Sequence, residues 1–128
     1  MNETQLENLC LDWFAENGWE VVHGIDIAPD SSNPLRKDYK QVLIESDLHA
    51  AFERLNPHLP MSCFEQVWQK LSKPESLDLV INNRTFHRML LEGVSVTYKK
   101  QDDWVHDHAF LVDFNHVHQN RFVAVNQF

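Results

Sequence analysis

The chain has 128 residues, a length typical of one domain, and 43% of them are hydrophobic, which is enough for a packed core. Its formal net charge is −8, from 11 basic and 19 acidic residues, which argues against a domain that grips a phosphate backbone by itself. Two cysteines are too few for a disulfide framework, and the chain shows neither a membrane-spanning apolar run nor a signal peptide. We therefore expect one cytoplasmic domain over residues 1–128.

The first predicted element is a helix. Thr4 and Glu7 fit a capping box at its start, and Gly18 is suited to the left-handed conformation that ends helices. Residues 19–23 then favour a short strand, and the Pro- and Ser-rich stretch 28–38 predicts a loop. The apolar stripe of this helix, which we expect to pack in the core, consists of Leu6, Leu9, Cys10, Trp13 and Phe14.

Three further helices follow. Apolar residues at helical spacing predict one over residues 44–55 and another that includes Trp68 and begins with a capping box of Ser62 and Glu65. A third runs from about Leu77 to Leu91. The core is expected to include Trp68 and Cys63.

The hydrophobic period changes to two after Gly93, which predicts strands over residues 94–98, 105–114 and 121–128. The order of elements is helix, strand, three helices and three strands, so the fold class is α+β or α/β, with N-terminal helices packed on a partial mixed sheet. The apolar last strand would be an open edge, and we expect it to belong to a sheet that continues in strands outside these residues.

Six segments, in this order and spacing, resemble motifs of the R subunits of type I restriction enzymes (HsdR). The resemblance covers nearly the whole chain, since the first helix and strand also fit the family. The segments are RKDYKQVL at 36–43, LHAA at 48–51, LNPHLP at 55–60, NRTFHRMLLEGV at 83–94, LVDF at 111–114 and NRFVAVNQF at 120–128.

The resemblance implies an incomplete nuclease domain of the PD-(D/E)xK type, followed in the parent protein by two ATP-driven motor domains that pull DNA. It implies Mg²⁺ and ATP as cofactors of the parent enzyme, an ATP-dependent endonuclease. The implied partners are DNA and the methyltransferase and specificity subunits, reached through the full-length protein. In such nucleases an Asp and a Glu hold Mg²⁺, and a Lys two residues after the Glu stabilises the developing charge.

This sequence departs from the family pattern at the catalytic residues. The implied Asp and Glu-x-Lys follow the VNQF segment, and no Glu in the chain has Lys at the second position after it. Asp38-Tyr39-Lys40 comes closest, but it borders a loop and reads as a solvated charge cluster. The three glycines are too dispersed for a phosphate-binding loop. We expect the segment alone to bind no cofactor, to contact DNA little, and neither to cut DNA nor to hydrolyse ATP.

Glu7 is the one candidate for the nuclease centre. Nucleases of the implied type often place a helix-borne Glu near the metal, and Glu7 lies beside Phe14 at the edge of the apolar stripe. Its alternative role is local, as the partner of Thr4 in the capping box.

Two other functions remain open. A self-contained acidic interaction module on a nuclease-like scaffold could bind a basic partner or mimic the charge of DNA. A histidine-based metal site for zinc or nickel could use His106, His108, His116 and His118, with Asp107 and Asp113 as secondary ligands, although surface histidines beside a turn are the simpler interpretation.

Overall fold

The structure is a computed structural model that describes all of residues 1–128. Helices and strands both contribute, which confirms the α+β class. Two compact units are present: Met1–Ile44 with Arg121–Phe128, and Glu45–Asn120. That the chain is a single domain stays a prediction. The elements are α1 (Glu3–Glu16), β1 (Glu20–His23), α2 (Gly24–Ile27), α3 (Glu45–Leu55), α4 (Ser62–Ser72), α5 (Leu79–Glu92), β2 (Val94–Lys100), β3 (Asp103–Ala109), a 3-10 turn (Val117–Gln119) and β4 (Val123–Asn126).

The first unit is built on a parallel pair of strands, β1 and β4, that lie about 100 residues apart in sequence. Their register runs from Glu20 opposite Val123 to His23 opposite Asn126. Helix α1 packs on both strands. The rings of Phe14, Trp19 and Phe122 extend this packing, with centroids 5.0 and 5.1 Å apart.

The face of α1 that packs inward differs from the predicted one. Leu11 is buried, and Glu7 and Phe14 are half-buried, so the inward face follows the spacing i, i+4, i+7. Trp13 is 59% exposed and Cys10 is also exposed, so their predicted core positions are wrong. Leu6 and Leu9 are exposed too. Strands β1 and β4 cover only one side of α1. Because the apolar stripe of the helix is broader than this contact, some of its apolar residues remain exposed to solvent.

The predicted capping box at the start of α1 is also wrong. Asn2 is the N-cap: its side chain accepts a hydrogen bond from the Gln5 backbone N–H at 2.8 Å, and the Asn2 backbone N–H donates one to the Gln5 side-chain oxygen at 3.0 Å. Asn caps helices as well as Thr does, and Gln can replace Glu as its partner, so the box forms two residues earlier. Glu7 therefore has no capping role.

The second unit packs helices α3 and α4 with the β2–β3 hairpin. α4 lies against β2, and its buried side chains meet those of Phe52, Val94 and Val96. The Phe52 and Phe64 rings form an edge-to-face pair with centroids 5.6 Å apart. The core positions of this unit are Phe52, Leu59, Cys63, Phe64, Val67, Leu71, Val94, Val96 and Ala109, whereas Trp68 is half-buried and α5 has no buried residue.

Strands β2 and β3 pair antiparallel, from Val94 opposite Ala109 to Lys100 opposite Asp103, and Gln101 takes a left-handed φ of 53° in the turn. Parallel and antiparallel pairing thus both occur, in two separate two-stranded sheets. The predicted capping box at Ser62 is wrong, because the N–H groups of Cys63 and Phe64 bond backbone oxygens of the preceding turn instead. None of the helices has the length and apolar character needed to cross a membrane.

Candidate functional site

The carboxyl ends of β1 and β4 meet at one edge of the first unit, because the two strands are parallel. Such edges are common positions for ligand and catalytic groups. Three consecutive residues at the end of β4, Asn126, Gln127 and Phe128, each contact a different segment of the unit. We call these three residues the β4 end.

The side chain of Asn126 forms a hydrogen bond with the turn that follows β1. The side-chain oxygen of Asn126 accepts a hydrogen bond from the backbone N–H of Gly24 at 3.1 Å. A Cβ added to Gly24 would lie 2.3 Å from the Asn126 carbonyl oxygen and 2.5 Å from that of Gln127. Only glycine permits this approach, so the contact requires Gly24 itself.

Glu7 of α1 faces the β4 end, where its carboxylate is held by Gln127. The Gln127 side-chain amide donates a hydrogen bond to Glu7 Oε2 at 3.1 Å. Glu7 Oε1 is buried and has no hydrogen-bond partner. A carboxylate oxygen removed from water without a partner is destabilising, and such a group in a native fold calls for a function or a missing ligand.

The backbone of Gln127 adopts a left-handed φ of 46°. This conformation costs about 1–2 kcal/mol in a residue with a Cβ. Conformations of this kind persist where the surroundings hold them, and they cluster at functional sites. Here the amide that contacts Glu7 belongs to the strained residue.

Arg36 completes the surroundings of the β4 end. Its guanidinium lies over the Phe128 ring, 3.8 Å from the centroid, and it donates hydrogen bonds to the carbonyl oxygens of Tyr39 at 2.7 Å and Gln41 at 2.9 Å. The Tyr39 hydroxyl donates to Asp30, and this hydrogen bond raises the pKa of Tyr39, with burial as the next cause. Arg36, Asn126 and Gln127 were not predicted from the sequence as site residues.

The residues at this edge do not by themselves fit a Mg²⁺ ion. Mg²⁺ prefers about six oxygen ligands in octahedral geometry, and the edge offers one free carboxylate oxygen, that of Glu7. Nowhere in residues 1–128 do three or more His, Cys, Asp or Glu side chains gather in a way that could hold a metal ion. What the arrangement can do is orient one carboxylate from a helix toward the ends of two parallel strands.

The histidines considered for a metal site are spread over the surface of the second unit. His106 and His108 share the exposed face of β3, and His108 approaches the Ser95 hydroxyl at 3.5 Å. The rings of His116 and His118 have centroids 6.3 Å apart and pair edge to face. These side chains form no cluster of metal ligands.

The two aspartates named with the histidines have local partners. Asp107 Oδ2 lies 3.4 Å from His58 Nε2. Asp113 accepts hydrogen bonds from the backbone N–H groups of Asn115 and His116, and the bond from His116 is the main reason that its pKa is lowered. Asp113 therefore stabilises a local turn, whereas Asp107 lies on β3 beside His58.

The Asp38-Tyr39-Lys40 segment lies in a loop, not on a strand. Asp38 accepts hydrogen bonds from the backbone N–H groups of Lys40 and Gln41 at 2.8 and 3.0 Å. This arrangement is a side-chain-stabilised turn, in which the carboxylate is occupied by backbone donors.

Comparison with known proteins gives a consistent result. The chain matches, over residues 1–128, the family described as type I restriction enzyme R protein N terminus. It is 37% identical over 127 residues to the type I restriction enzyme HindI endonuclease subunit of Haemophilus influenzae, with 99% of this chain and 12% of that protein covered. It is 23% identical over 123 residues to the "Putative type I restriction enzyme MjaIXP endonuclease subunit" of Methanocaldococcus jannaschii, with 96% and 12% covered. No solved structure matches the chain.

The motifs that carried the resemblance in the sequence now have positions in the fold. RKDYKQVL supplies Arg36, and VNQF supplies the β4 end that Arg36 contacts. The chain spans 12% of the length of each of these two relatives.

Proposed function

This chain belongs to the family of type I restriction enzyme R protein N termini, and on that premise we propose that it forms the first part of the nuclease domain of an endonuclease subunit. In this role it supplies a helix and two parallel strands to the domain, with Glu7 as an accessory acid beside the nuclease centre. The family resemblance predicted from the motifs is confirmed by the match.

One observation supports the proposed accessory role of Glu7. Its Oε1 atom is buried without a partner at the carboxyl edge of β1 and β4, and its Oε2 atom is held by Gln127. The capping role that competed for Glu7 belongs to Asn2 and Gln5 instead. A carboxylate that is oriented but only half satisfied is suited to a ligand or catalytic partner supplied by another segment.

The remaining parts of the proposed activity are assigned to the parent protein. Mg²⁺, ATP, the Asp and Glu-x-Lys acids, and the contacts with DNA and the other subunits of a cytoplasmic restriction system would belong to the complete subunit. The formal charge of −8 supports this division, because the phosphate backbone is bound by positively charged surfaces. The segment described here would act as scaffold and as the source of Glu7.

The test uses the complete parent subunit assembled with its methyltransferase and specificity subunits. Glu7→Gln should lower the rate of DNA cleavage about tenfold or more, because it removes the carboxylate charge while keeping the size of the side chain. ATP hydrolysis should be unchanged, since the motor lies elsewhere in the proposal. Glu16→Gln, at the exposed end of the same helix, is the matched control and should leave both rates unchanged.

The accessory role would be wrong if Glu7→Gln cleaved DNA at the wild-type rate. A parallel loss of cleavage and ATP hydrolysis would also contradict it, because that pattern indicates a misfolded subunit.

A further inference from the structure

We propose that Arg36 is a positioning residue for Glu7, acting through the contact of its guanidinium with Phe128 at the β4 end. The inference rests on the proposed function, since it concerns how the accessory carboxylate is held. Arg36 does not touch Glu7 through any contact in the structure, so its effect would pass through the backbone of residues 127–128.

Arg36 is an unusual cation because it is buried without a carboxylate. It is 5% exposed and makes no salt bridge. Burial of an unpaired charge is unfavourable unless hydrogen bonds and polarisable groups replace water. Here the carbonyl oxygens of Tyr39 and Gln41 and the face of the Phe128 ring take that place.

These three contacts use the shape of the guanidinium. Its planar fork donates from Nε to one carbonyl oxygen and from Nη2 to another, while its flat face covers the aromatic ring. A Lys ammonium carries the same charge, but it is a compact group without a fork or a plane, so Lys cannot make all three contacts together. The site therefore distinguishes Arg from Lys.

The loop that accepts these hydrogen bonds is itself fixed. Asp38 accepts two backbone hydrogen bonds within the turn, the Tyr39 hydroxyl is bonded to Asp30 at 2.7 Å, and the Gln41 side chain bonds the backbone N–H of Lys37 and the carbonyl of Leu43. Arg36 thus connects a braced loop to the β4 end.

The contact between Arg36 and Phe128 is linked to Glu7 through the peptide unit that joins Gln127 and Phe128. Phe128 follows Gln127, whose strained backbone directs its amide to Glu7 Oε2. A left-handed residue tends to relax unless its neighbours are held, and Phe128 is held from one side by the Arg36 guanidinium. Loss of the stacking contact should therefore let Gln127 relax and release the Glu7 carboxylate.

The experiment measures DNA cleavage and ATP hydrolysis for the assembled complete enzyme with Arg36→Lys, Glu7→Gln, and both substitutions together. Arg36→Lys should slow cleavage about tenfold without changing ATP hydrolysis, because small misplacements of a reacting group have effects of this size or larger. The double variant should be no slower than the slower single variant. Arg88→Lys, on the exposed side of α5, is the control and should behave as wild type.

Two Phe128 variants test the stacking contact. Phe128→Leu should reproduce the slow cleavage of Arg36→Lys, whereas Phe128→Tyr keeps the ring and should cleave at the wild-type rate. The exchange measurement that follows separates loss of this stacking contact from general destabilisation.

Hydrogen–deuterium exchange of the complete subunit gives a readout that does not depend on cleavage. Arg36→Lys should speed exchange in peptides from residues 36–44 and 120–128 and leave peptides from residues 45–55 unchanged. Faster exchange in all three regions would overturn the inference, because it indicates general destabilisation.

The outcomes separate the two proposals. If Glu7→Gln slows cleavage but Arg36→Lys does not, or if the two effects multiply in the double variant, the inference fails and the proposed function stands. If Glu7→Gln has no effect on cleavage, the accessory role of Glu7 fails, and with it the positioning role of Arg36.

Discussion

The side chain of Asn56 pairs with the backbone of Phe110 as a neighbouring strand would. Its Oδ1 atom accepts the Phe110 N–H at 2.7 Å, and its Nδ2 atom donates to the Phe110 carbonyl at 2.8 Å and to that of Phe52 at 3.1 Å. Asn56 is 1% exposed and directly follows α3, and Phe110 directly follows β3. The asparagine of the LNPHLP segment thus joins the end of a helix to the end of a strand within the second unit.

Removal of the Asn56 amide should destabilise this unit. Asn56→Ala leaves the N–H and C=O of Phe110 without partners, and the expected loss in free energy of unfolding is about 1–3 kcal/mol. Urea denaturation followed by circular dichroism measures it. Asn83→Ala, on the exposed surface of α5, should change stability by less than about 0.5 kcal/mol. Equal stabilities of the two variants would contradict the structural role of Asn56.

A methyl group at Gly24 should disrupt the contact between the turn after β1 and the β4 end. Gly24→Ala places a Cβ 2.3 Å from a backbone oxygen of Asn126, and overpacking of this kind costs about 3 kcal/mol. Gly18→Ala meets no atom within 4 Å, and its cost of about 1–2 kcal/mol comes only from its left-handed φ of 87°. The melting temperature of Gly24→Ala should therefore be lower than that of Gly18→Ala. The reverse order would show that the turn at Gly24 and the β4 end are not so close.

Stability of the first unit should fall at acidic pH because of Glu20. Arg121 donates two hydrogen bonds to this carboxylate, at 2.6 and 3.0 Å, and they lower the pKa of Glu20 below its ordinary value of 4.5, with the Arg121 charge acting in the same direction and desolvation opposing it. A group whose folded-state pKa is lowered stabilises the fold above its unfolded-state pKa, and this stability is lost as pH falls through the folded-state value.

The check is the free energy of unfolding of the wild type and of Glu20→Gln between pH 7 and the acid range below the ordinary Glu pKa of 4.5. The wild type should lose more stability than the variant over this interval. Glu75→Gln, which alters an exposed loop carboxylate, should follow the wild type. Parallel curves for Glu20→Gln and wild type would contradict the role of the pair. Both groups are exposed, so the effect should also shrink in high salt.

The two cysteines should react at very different rates. Cys10 is exposed on α1, whereas Cys63 is 0% exposed, and burial, followed by the nearby Asp107 charge, raises the pKa of the Cys63 thiol. Ellman's reagent should therefore label Cys10 at once and Cys63 only after the second unit unfolds. The Cys10→Ser variant identifies the fast phase, which should disappear; a fast phase that persists would place Cys63 at the surface.

The chain by itself should not cut DNA. It contains no Glu-x-Lys sequence, and no cluster of side chains within it could hold a metal ion. Supercoiled plasmid incubated with the chain, Mg²⁺ and ATP should stay supercoiled on an agarose gel. Cleavage above background that disappears in Glu7→Ala would show that residues 1–128 contain a working nuclease centre.

The order of elements was predictable because it depends on local patterns. Helical spacing in residues 44–55 and the change of period after Gly93 predicted α3 and β2 closely, since burial on one face requires those repeats. The ends of elements were less predictable. The strand predicted over residues 105–114 corresponds to β3, which ends at Ala109. The next residue, Phe110, forms its backbone hydrogen bonds with the side chain of Asn56 and not with another strand.

The amino-acid sequence by itself determined the family and the α+β class, because motif order and hydrophobic period are properties of the chain alone. The tertiary structure alone decided which face of α1 is buried, and so that Glu7 meets Gln127 while Trp13 remains exposed. It also decided that Arg36 lies on Phe128. These relationships depend on the pairing of β1 with β4 across about 100 residues, and no local repeat in the sequence records which distant segment will cover a given face.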